Sequence, residues 1–356
     1  MRMKRYIQLF AGLLLGVMVS ACDVHEFPEH DYLEFELNLT YDTEMPLYMV
    51  DETSLKTRAE VASDYRLRYI IEVYRTNQDG RFDDNSPADM RIVKYENDIN
   101  NLNQSFILQL KPGYFTFVVW TDYIKANTTT DLYYKTDDLG EIQTIGRPHV
   151  GANDFRDGFY GKVASHCGYE NLTATVELHR PFAKFNFIST DLEEFYTRVI
   201  QMRIDRNLLP EKPSGSDEDT RANINLDDFT VRFIYEGNIP YSFNAERDNG
   251  FPNDVALTQI YFDSKIKRIS EDEVELGFDY VMAYTDKDTD VKVGLEVTDF
   301  DKTVVSSVNP VPVKLMQSML TTKKGEFLTS KAVGGVGIRP GFNEDPDGEF
   351  DYVVPD

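Results

Sequence analysis

The sequence has few of the residues that build cross-linked or reactive sites: two cysteines, five histidines and one tryptophan among 356 residues. Two cysteines can form at most one disulfide bond, so a disulfide-rich fold is excluded and stability has to come from buried apolar surface. The chain also has no uninterrupted apolar run of about 20 residues, the length that a membrane-spanning helix needs. No spanning helix is therefore predicted.

The N-terminus has the three zones of a secretory signal peptide. Arg2, Lys4 and Arg5 form a basic stretch, which is followed by an apolar run from Ile7 to Val19 and then by small residues. The apolar run is too short to remain as a spanning anchor. We therefore expect residues 1–21 to be removed after export.

The end of this signal peptide resembles the lipobox of bacterial lipoproteins, with Val19, Ser20, Ala21 and Cys22 in order. In a lipobox the cysteine thiol receives a diacylglyceryl group before the peptide is cut in front of it. Each buried methylene of an acyl chain contributes about 0.8 kcal/mol, so two or three chains anchor a protein stably. The alternative is an ordinary signal peptide cut after Ala21, with Cys22 merely adjacent.

Acidic residues outnumber basic ones by 61 to 37, which gives a formal net charge of −24. Removal of the signal peptide with its three positive charges takes this value to −27. Such a surface repels phosphates and anionic headgroups, so no nucleic acid is predicted as a partner. Aromatic residues make up 13% of the chain, which is typical of strands and not of a disordered protein.

Alternating apolar and polar residues predict strands along most of the chain. In Leu33–Tyr41 every odd position is apolar and every even position is polar. Further strands are predicted at 67–74, 106–110, 114–120, 173–178, 185–188, 229–235, 276–284 and 291–297. Three residues that include a proline and a glycine separate 106–110 from 114–120, which predicts a hairpin. Trp120, beside two valines, is predicted to be buried.

One helix is predicted between the strands, with a capping box formed by Thr190 and Glu193. Apolar residues recur there at helical spacing: Leu192, Phe195, Tyr196 and Val199. Residues 210–222 have the composition of a polar loop.

Many short strands and few helices predict an all-β fold of two antiparallel β-sandwiches in tandem. The predicted organisation is a lipoprotein signal peptide, a tether, an N-terminal sandwich, a C-terminal sandwich and a tail rich in glycine and acid, at residues 1–21, 22–31, 32–165, 166–330 and 331–356.

The sequence predicts no catalytic residue and no cofactor. His166 beside Cys167 is the nearest approach to a nucleophile with a base, but consecutive residues of a strand point to opposite faces. No nucleophile elbow, zinc-protease histidine pair or phosphate-binding glycine loop is present.

No metal site is predicted either. Aspartates at positions 286, 288 and 290 are spaced like the first three ligands of a calcium-binding EF-hand, but Val291 and Val297 occupy the positions of its essential glycine and glutamate. We interpret this segment as a solvated loop. A second polar group is interpreted as a turn around Asp79 and Gly80. Its members are Asn77, Asp79, Asp83 and Asp84.

Several strand and turn signatures are shared with a known family. They lie at residues 22–28, 157–161, 180–185, 312–314, 320–322 and 325–329. Together they resemble the fimbrillin-like and fimbrial-anchor lipoproteins of Bacteroidales, the components of type V pili. The resemblance implies transthyretin-like sandwich domains, no enzymatic activity, and attachment to the outer membrane through Cys22 with the body facing the cell exterior.

The resemblance also implies a function. A pilus subunit or anchor in cell adhesion would join other pilus subunits by strand addition and meet a receptor on a host or bacterial surface. Asp23 and Glu26 resemble the surface-export signal of such lipoproteins. The alternative is a surface carbohydrate-binding lipoprotein, whose sandwiches would give the same strand pattern.

In the family that the chain resembles, shaft subunits are cut by an arginine-specific protease after the first strand, and anchors are left uncut. Residues 56–59 lie between the first two predicted strands and include Arg58 and Ala59. The resemblance implies processing between these two residues in a shaft subunit. The alternative is that Arg58 is one exposed basic residue in a polar loop.

We predict that Cys22→Ala releases the protein from membranes, because the substitution removes the only thiol in the lipobox-like segment. Cells that express the variant are fractionated, and membranes are washed with carbonate. The unchanged chain should pellet with the membranes, and the variant should appear in the soluble fraction. A variant that still pellets and resists the wash contradicts lipid anchoring at this cysteine.

Overall fold

The computed structural model describes residues 32–41, 63–82, 87–99, 101–145, 149–209, 224–237, 239–247, 249–251, 260–284 and 289–330. These residues form five sheets of three or four strands and one α-helix. The prediction of an all-β fold is therefore confirmed.

Nine strands lie in the first half of the chain. They are β1 (Leu33–Tyr41), β2 (Tyr65–Thr76), β3 (Met90–Glu96), β4 (Gln104–Leu110), β5 (Gly113–Lys125), β6 (Tyr134–Lys135), β7 (Ile142–Thr144), β8 (Gly158–Cys167) and β9 (Thr173–Leu178). A three-stranded sheet in the order β4-β1-β9 faces a four-stranded sheet in the order β3-β2-β5-β8. Phe35 of β1 stacks on Phe117 of β5 across this core, with ring centroids 5.3 Å apart.

Ten strands follow. They are β10 (Phe182–Ser189), β11 (Thr230–Glu236), β12 (Ser242–Asn244), β13 (Asn249–Phe251), β14 (Tyr261–Ser264), β15 (Lys267–Arg268), β16 (Val274–Met282), β17 (Thr289–Thr298), β18 (Val304–Leu315) and β19 (Leu320–Gly325). Sheets β15-β16-β10-β19 and β14-β11-β17-β18 enclose a second core. There Phe187 of β10 meets Phe233 of β11 edge to face at 5.6 Å.

The predicted hairpin at residues 106–120 is wrong. β4 pairs with β1, whereas β5 pairs with β2 and β8 in the facing sheet. Lys111 and Pro112 thus carry the chain across the sandwich. Leu110 and Phe115 on either side of this crossing are both buried, and two facing sheets let them cover the same core from opposite sides.

The first core extends beyond residue 165, where the sequence predicts a domain boundary. β9 follows that position and pairs in parallel with β1. Phe182, Tyr280 and Met282 also belong to the first core, and the small sheet β13-β12-β7-β6 joins strands from both halves of the chain. The structure therefore describes two hydrophobic cores with shared strands, and the division into 32–165 and 166–330 stays a prediction.

The predicted helix is confirmed as α1 (Leu192–Asp205). Its four predicted apolar residues are buried in the second core. The helix ends before Asn207, which adopts a left-handed conformation (φ 57°) that asparagine tolerates better than most residues.

The predicted capping box is wrong, because Asp191 and not Thr190 is the N-cap residue, and its side chain makes no capping hydrogen bond. The Asp191 carboxylate instead accepts hydrogen bonds from Ser189 Oγ at 2.5 Å and from the backbone N and side-chain Oγ1 of Thr329 at 2.8 and 2.7 Å. Asp191 is buried. It thus fastens the segment after β19 to the start of α1.

We predict that Asp191→Ala lowers the free energy of unfolding by about 3 kcal/mol, because buried donors lose a charged acceptor. Thr190→Ala is the control and should change it by less than about 0.5 kcal/mol. Both values come from urea denaturation. A larger loss for Thr190→Ala than for Asp191→Ala would restore the capping-box interpretation.

Candidate functional site: strand β1 and its groove

Strand β1 is the central strand of its sheet although it is the first strand of the described chain. It pairs antiparallel with β4 from Leu33 to Leu39 and in parallel with β9 from Glu36 to Tyr41. Both edges of its backbone are therefore hydrogen-bonded. We call the space that β1 fills, between β4 and β9 and against β5, the β1 groove.

The inner face of β1 is apolar, as the alternation predicts. Phe35, Leu37 and Leu39 are fully buried in the first core. Tyr41 ends the strand with its ring edge to face against Phe159 of β8 at 4.7 Å. Burial raises the pKa of the Tyr41 hydroxyl group well above its usual value. This face contributes aromatic and aliphatic packing on every second residue.

The outer face of β1 is polar and interacts with its neighbours by side-chain hydrogen bonds. Glu36 Oε1 accepts a hydrogen bond from Ser105 Oγ at 2.7 Å, and Asn38 Nδ2 donates one to Thr173 Oγ1 at 3.2 Å. These bonds are exposed to water, where a hydrogen bond contributes little net free energy. β1 is therefore held in the groove mainly by its backbone hydrogen bonds to β4 and β9 and by the buried apolar side chains of its inner face.

Several sequence-predicted site residues lie outside the described residues: Cys22, Arg58, Ala59, Asp286 and Asp288. Lipidation and processing thus stay predictions. Asp290, the third aspartate of the EF-hand-like spacing, is an exposed residue of β17. In the part of the chain that the structure describes, no three His, Cys, Asp or Glu residues converge on a metal position.

His166 and Cys167 do not form a dyad. Both belong to β8, where His166 is exposed against Tyr114 and Cys167 is buried in the first core. Burial also raises the pKa of the Cys167 thiol, which keeps it protonated. The alternation of side chains along a strand thus separates them as predicted.

The turn predicted at Asp79 and Gly80 is confirmed. Asn77 Oδ1 accepts hydrogen bonds from the backbone N of Asp79 and of Arg81 at 3.0 and 3.1 Å. Gly80 has a φ of 72°, a conformation that glycine adopts without strain.

Sequence reasoning missed the buried charges. Arg68 of β2 binds the Asp122 carboxylate of β5 with two hydrogen bonds, of 2.8 and 2.6 Å, and also reaches Asp131 at 2.6 Å. The Asp279 carboxylate of β16 accepts hydrogen bonds from Arg156 Nη1 at 2.5 Å and from Tyr235 Oη at 2.7 Å. His149 Nε2 lies 2.6 Å from the same carboxylate.

The charge of Asp279 is compensated inside the protein. Burial alone would raise the pKa of its carboxyl group, but Arg156 and His149 outweigh burial and hold that pKa below its usual value. Arg156 comes from the segment before β8, and Asp279 and Tyr235 come from strands of the second core. Their arrangement is that of a structural ion pair that joins the two cores.

A model of a protein family of unknown function matches residues 28–355. The chain belongs to DUF6562. No curated protein matches it. Among the helices that the structure describes in this DUF6562 protein, none has the length and apolar character needed to cross a membrane.

Solved structures of Bacteroidales proteins are similar to the DUF6562 chain. A candidate cell adhesion protein from Bacteroides ovatus is 13% identical with a TM-score of 0.42, over 84% of this chain and 94% of that one. A candidate cell adhesion protein from Bacteroides eggerthii is 11% identical with a TM-score of 0.40, over 86% and 91%. A fimbrial assembly protein from Parabacteroides distasonis is 15% identical with a TM-score of 0.35, over 83% and 92%.

We predict that Leu37→Ala in this DUF6562 protein lowers the free energy of unfolding by about 2 to 5 kcal/mol, because it leaves a cavity under the centre of β1. Glu36→Ala, one residue away on the outer face, is the control and should cost less than about 0.5 kcal/mol. Denaturant unfolding gives both values, and amide hydrogen exchange should be faster in β1 of Leu37→Ala. Equal effects of the two substitutions would show that the groove does not hold β1 by its inner face.

Proposed function

We propose that this protein is a surface-exposed, lipid-anchored outer-membrane protein that serves as a fimbrial subunit or anchor in cell adhesion. The observation that carries the proposal is the place of β1. The first strand of the described chain is a central strand of its sheet, and a processing site proposed after Arg58 would separate it covalently from the rest of the protein.

The energetics of the β1 groove favour replacement over an empty groove. Burial of Phe35, Leu37 and Leu39 contributes about 1.5 to 3 kcal/mol for each side chain. Loss of β1 would also leave the facing backbone groups of β4 and β9 without their partners. An alternating strand from a second subunit would satisfy both needs, which is the physical basis of recognition by strand addition.

The order of elements along the chain suits such a role. The proposed lipid on Cys22 is separated from β1 by a tether of about ten residues, which spans at most about 35 Å when extended. An uncut chain would keep β1 and the body on the lipid, as an anchor does. A cut after Arg58 would leave lipid, tether and β1 in one fragment and release the body for assembly.

We predict that protein recovered from pili on the native cell surface has one of two N-termini. A new terminus at Ala59 identifies a polymerising subunit, because the cut has freed the groove. An acylated Cys22 identifies an anchor. N-terminal sequencing and intact mass distinguish them. In the first case Arg58→Gln should abolish the new terminus, whereas Lys56→Gln, its neighbouring basic control, should retain it.

Two outcomes contradict the proposal. One is a protein that is lipidated and strictly monomeric and is absent from purified pili. The other is a cleaved protein whose β1 fragment stays bound and is not displaced in the assembled fibre, since strand addition requires the groove to change its occupant.

A further inference from the structure

An open pocket lies at one end of the sheet β3-β2-β5-β8, next to the outer face that carries Tyr114 and His166. It has a volume of about 140 Å³ between the turn after β2 and the ends of β5 and β8. Thr76, Asn77, Gln78, Tyr114 and His166 are among its lining residues. The pocket is separate from the β1 groove, which is on the other sheet.

Strand register brings three of these side chains into one row. Thr76 of β2 is opposite Tyr114 of β5, and Tyr114 is opposite His166 of β8. Opposite residues of paired strands share a face, so the three side chains stand side by side. The Tyr114 and His166 rings lie 4.6 Å apart at 42° and form a partly exposed aromatic floor.

The turn after β2 forms a wall that is held in place. Asn77 Oδ1 accepts two backbone hydrogen bonds within this turn, and Thr116 Oγ1 donates one to the Gly80 carbonyl oxygen at 3.0 Å. A Cβ on Gly80 would lie 2.6 Å from that of Ala164 on β8, so the turn rests directly on the sheet. The pocket is therefore preformed.

The polar groups of the pocket are suited to hydroxyl groups. The Thr76 hydroxyl oxygen is buried, and no described residue hydrogen-bonds it. That oxygen is closed off from solvent, so the groups that a ligand can reach are the exposed side-chain amides of Asn77 and Gln78, which can donate and accept hydrogen bonds. None of the described lining residues is Asp, Glu, Lys or Arg, so the pocket offers no ion pair to a charged ligand. The excess of acidic residues over the whole chain disfavours anionic ligands further.

We propose that this pocket binds a neutral saccharide unit, with one face of the sugar ring on the Tyr114–His166 floor and a hydroxyl group on the side-chain amide of Gln78. Aromatic rings provide a large apolar contact with little entropy loss, and the apolar C–H face of a pyranose ring is complementary to them. The volume is sufficient for one sugar ring. The protein would then recognise glycans by its own surface, which goes beyond a role in the pilus and does not depend on it.

The test is titration of the purified full-length protein with methyl glycosides of glucose, galactose, mannose and N-acetylglucosamine, followed by ligand-observed NMR. We expect saturable binding of at least one of them with a Kd on the order of 1 mM. N-acetylneuraminic acid, an anionic sugar, should bind at least about tenfold more weakly, because the excess of acidic residues in the chain repels it.

Two variants place the binding in the pocket. Tyr114→Ser should weaken it about tenfold through loss of the stacking contact. Gln78→Ala should weaken it about fivefold through loss of one hydrogen bond. Tyr261→Ser is the matched control, because Tyr261 is an exposed tyrosine on β14 of the second core, and it should leave binding unchanged.

The proposal is overturned if none of the four neutral glycosides binds saturably, if binding survives both pocket variants, or if the anionic sugar binds as tightly as the neutral ones. Melting temperatures show whether Tyr114→Ser is folded. If it is not, Gln78→Ala alone decides. The measurement uses no pili, so its failure leaves the proposed fimbrial role standing.

Discussion

The buried carboxylate of Asp279 determines how the two hydrophobic cores meet. A carboxylate without access to water is stable only when a cation and hydrogen-bond donors compensate it. Arg156 supplies that cation from the segment that leads into β8, and Tyr235 adds a donor from β11. Any shift of β8 relative to β16 would leave both charges buried and unpaired. β8 in turn supports β5, and so the wall of the β1 groove and the floor of the pocket depend on the same contact.

Assembly and recognition would use opposite sides of the first sandwich. β1 belongs to the three-stranded sheet, whereas Thr76, Tyr114 and His166 lie on the outer face of the four-stranded one. Exchange of β1 would therefore leave the pocket intact. Arg68 and Asp122 pair between β2 and β5 and hold that sheet together independently of β1.

The sequence predicts the strands well because burial on one face imposes a period of two. The predicted β1 has the observed bounds, the four valine and leucine positions of β17 are buried, and Trp120 is buried.

The pairing partners of the strands are harder to predict, because a strand pattern does not say which sheet a strand joins. β4 and β5 are consecutive and yet lie in facing sheets, and β9 pairs with a strand far away in sequence. Local spacing favours Thr190 as the capping residue, but distant donors at Leu328 and Thr329 hydrogen-bond to the carboxylate of the neighbouring Asp191. The pocket could not be predicted from the sequence for the same reason, because Thr76, Tyr114 and His166 become neighbours only when β2, β5 and β8 pair.

The parallel pairing of β1 with β9 has a consequence for how the protein reaches its native state. Asn38 and Thr173, which bond across this pair, are 135 positions apart in sequence. Contacts of such long range form late, because the chain between them must be ordered first. While the chain is synthesised from its N-terminus, β1 emerges long before β9, and its apolar side chains stay exposed in the meantime. The parallel pairing of β1 is therefore possible only once the chain as far as Leu178 is available.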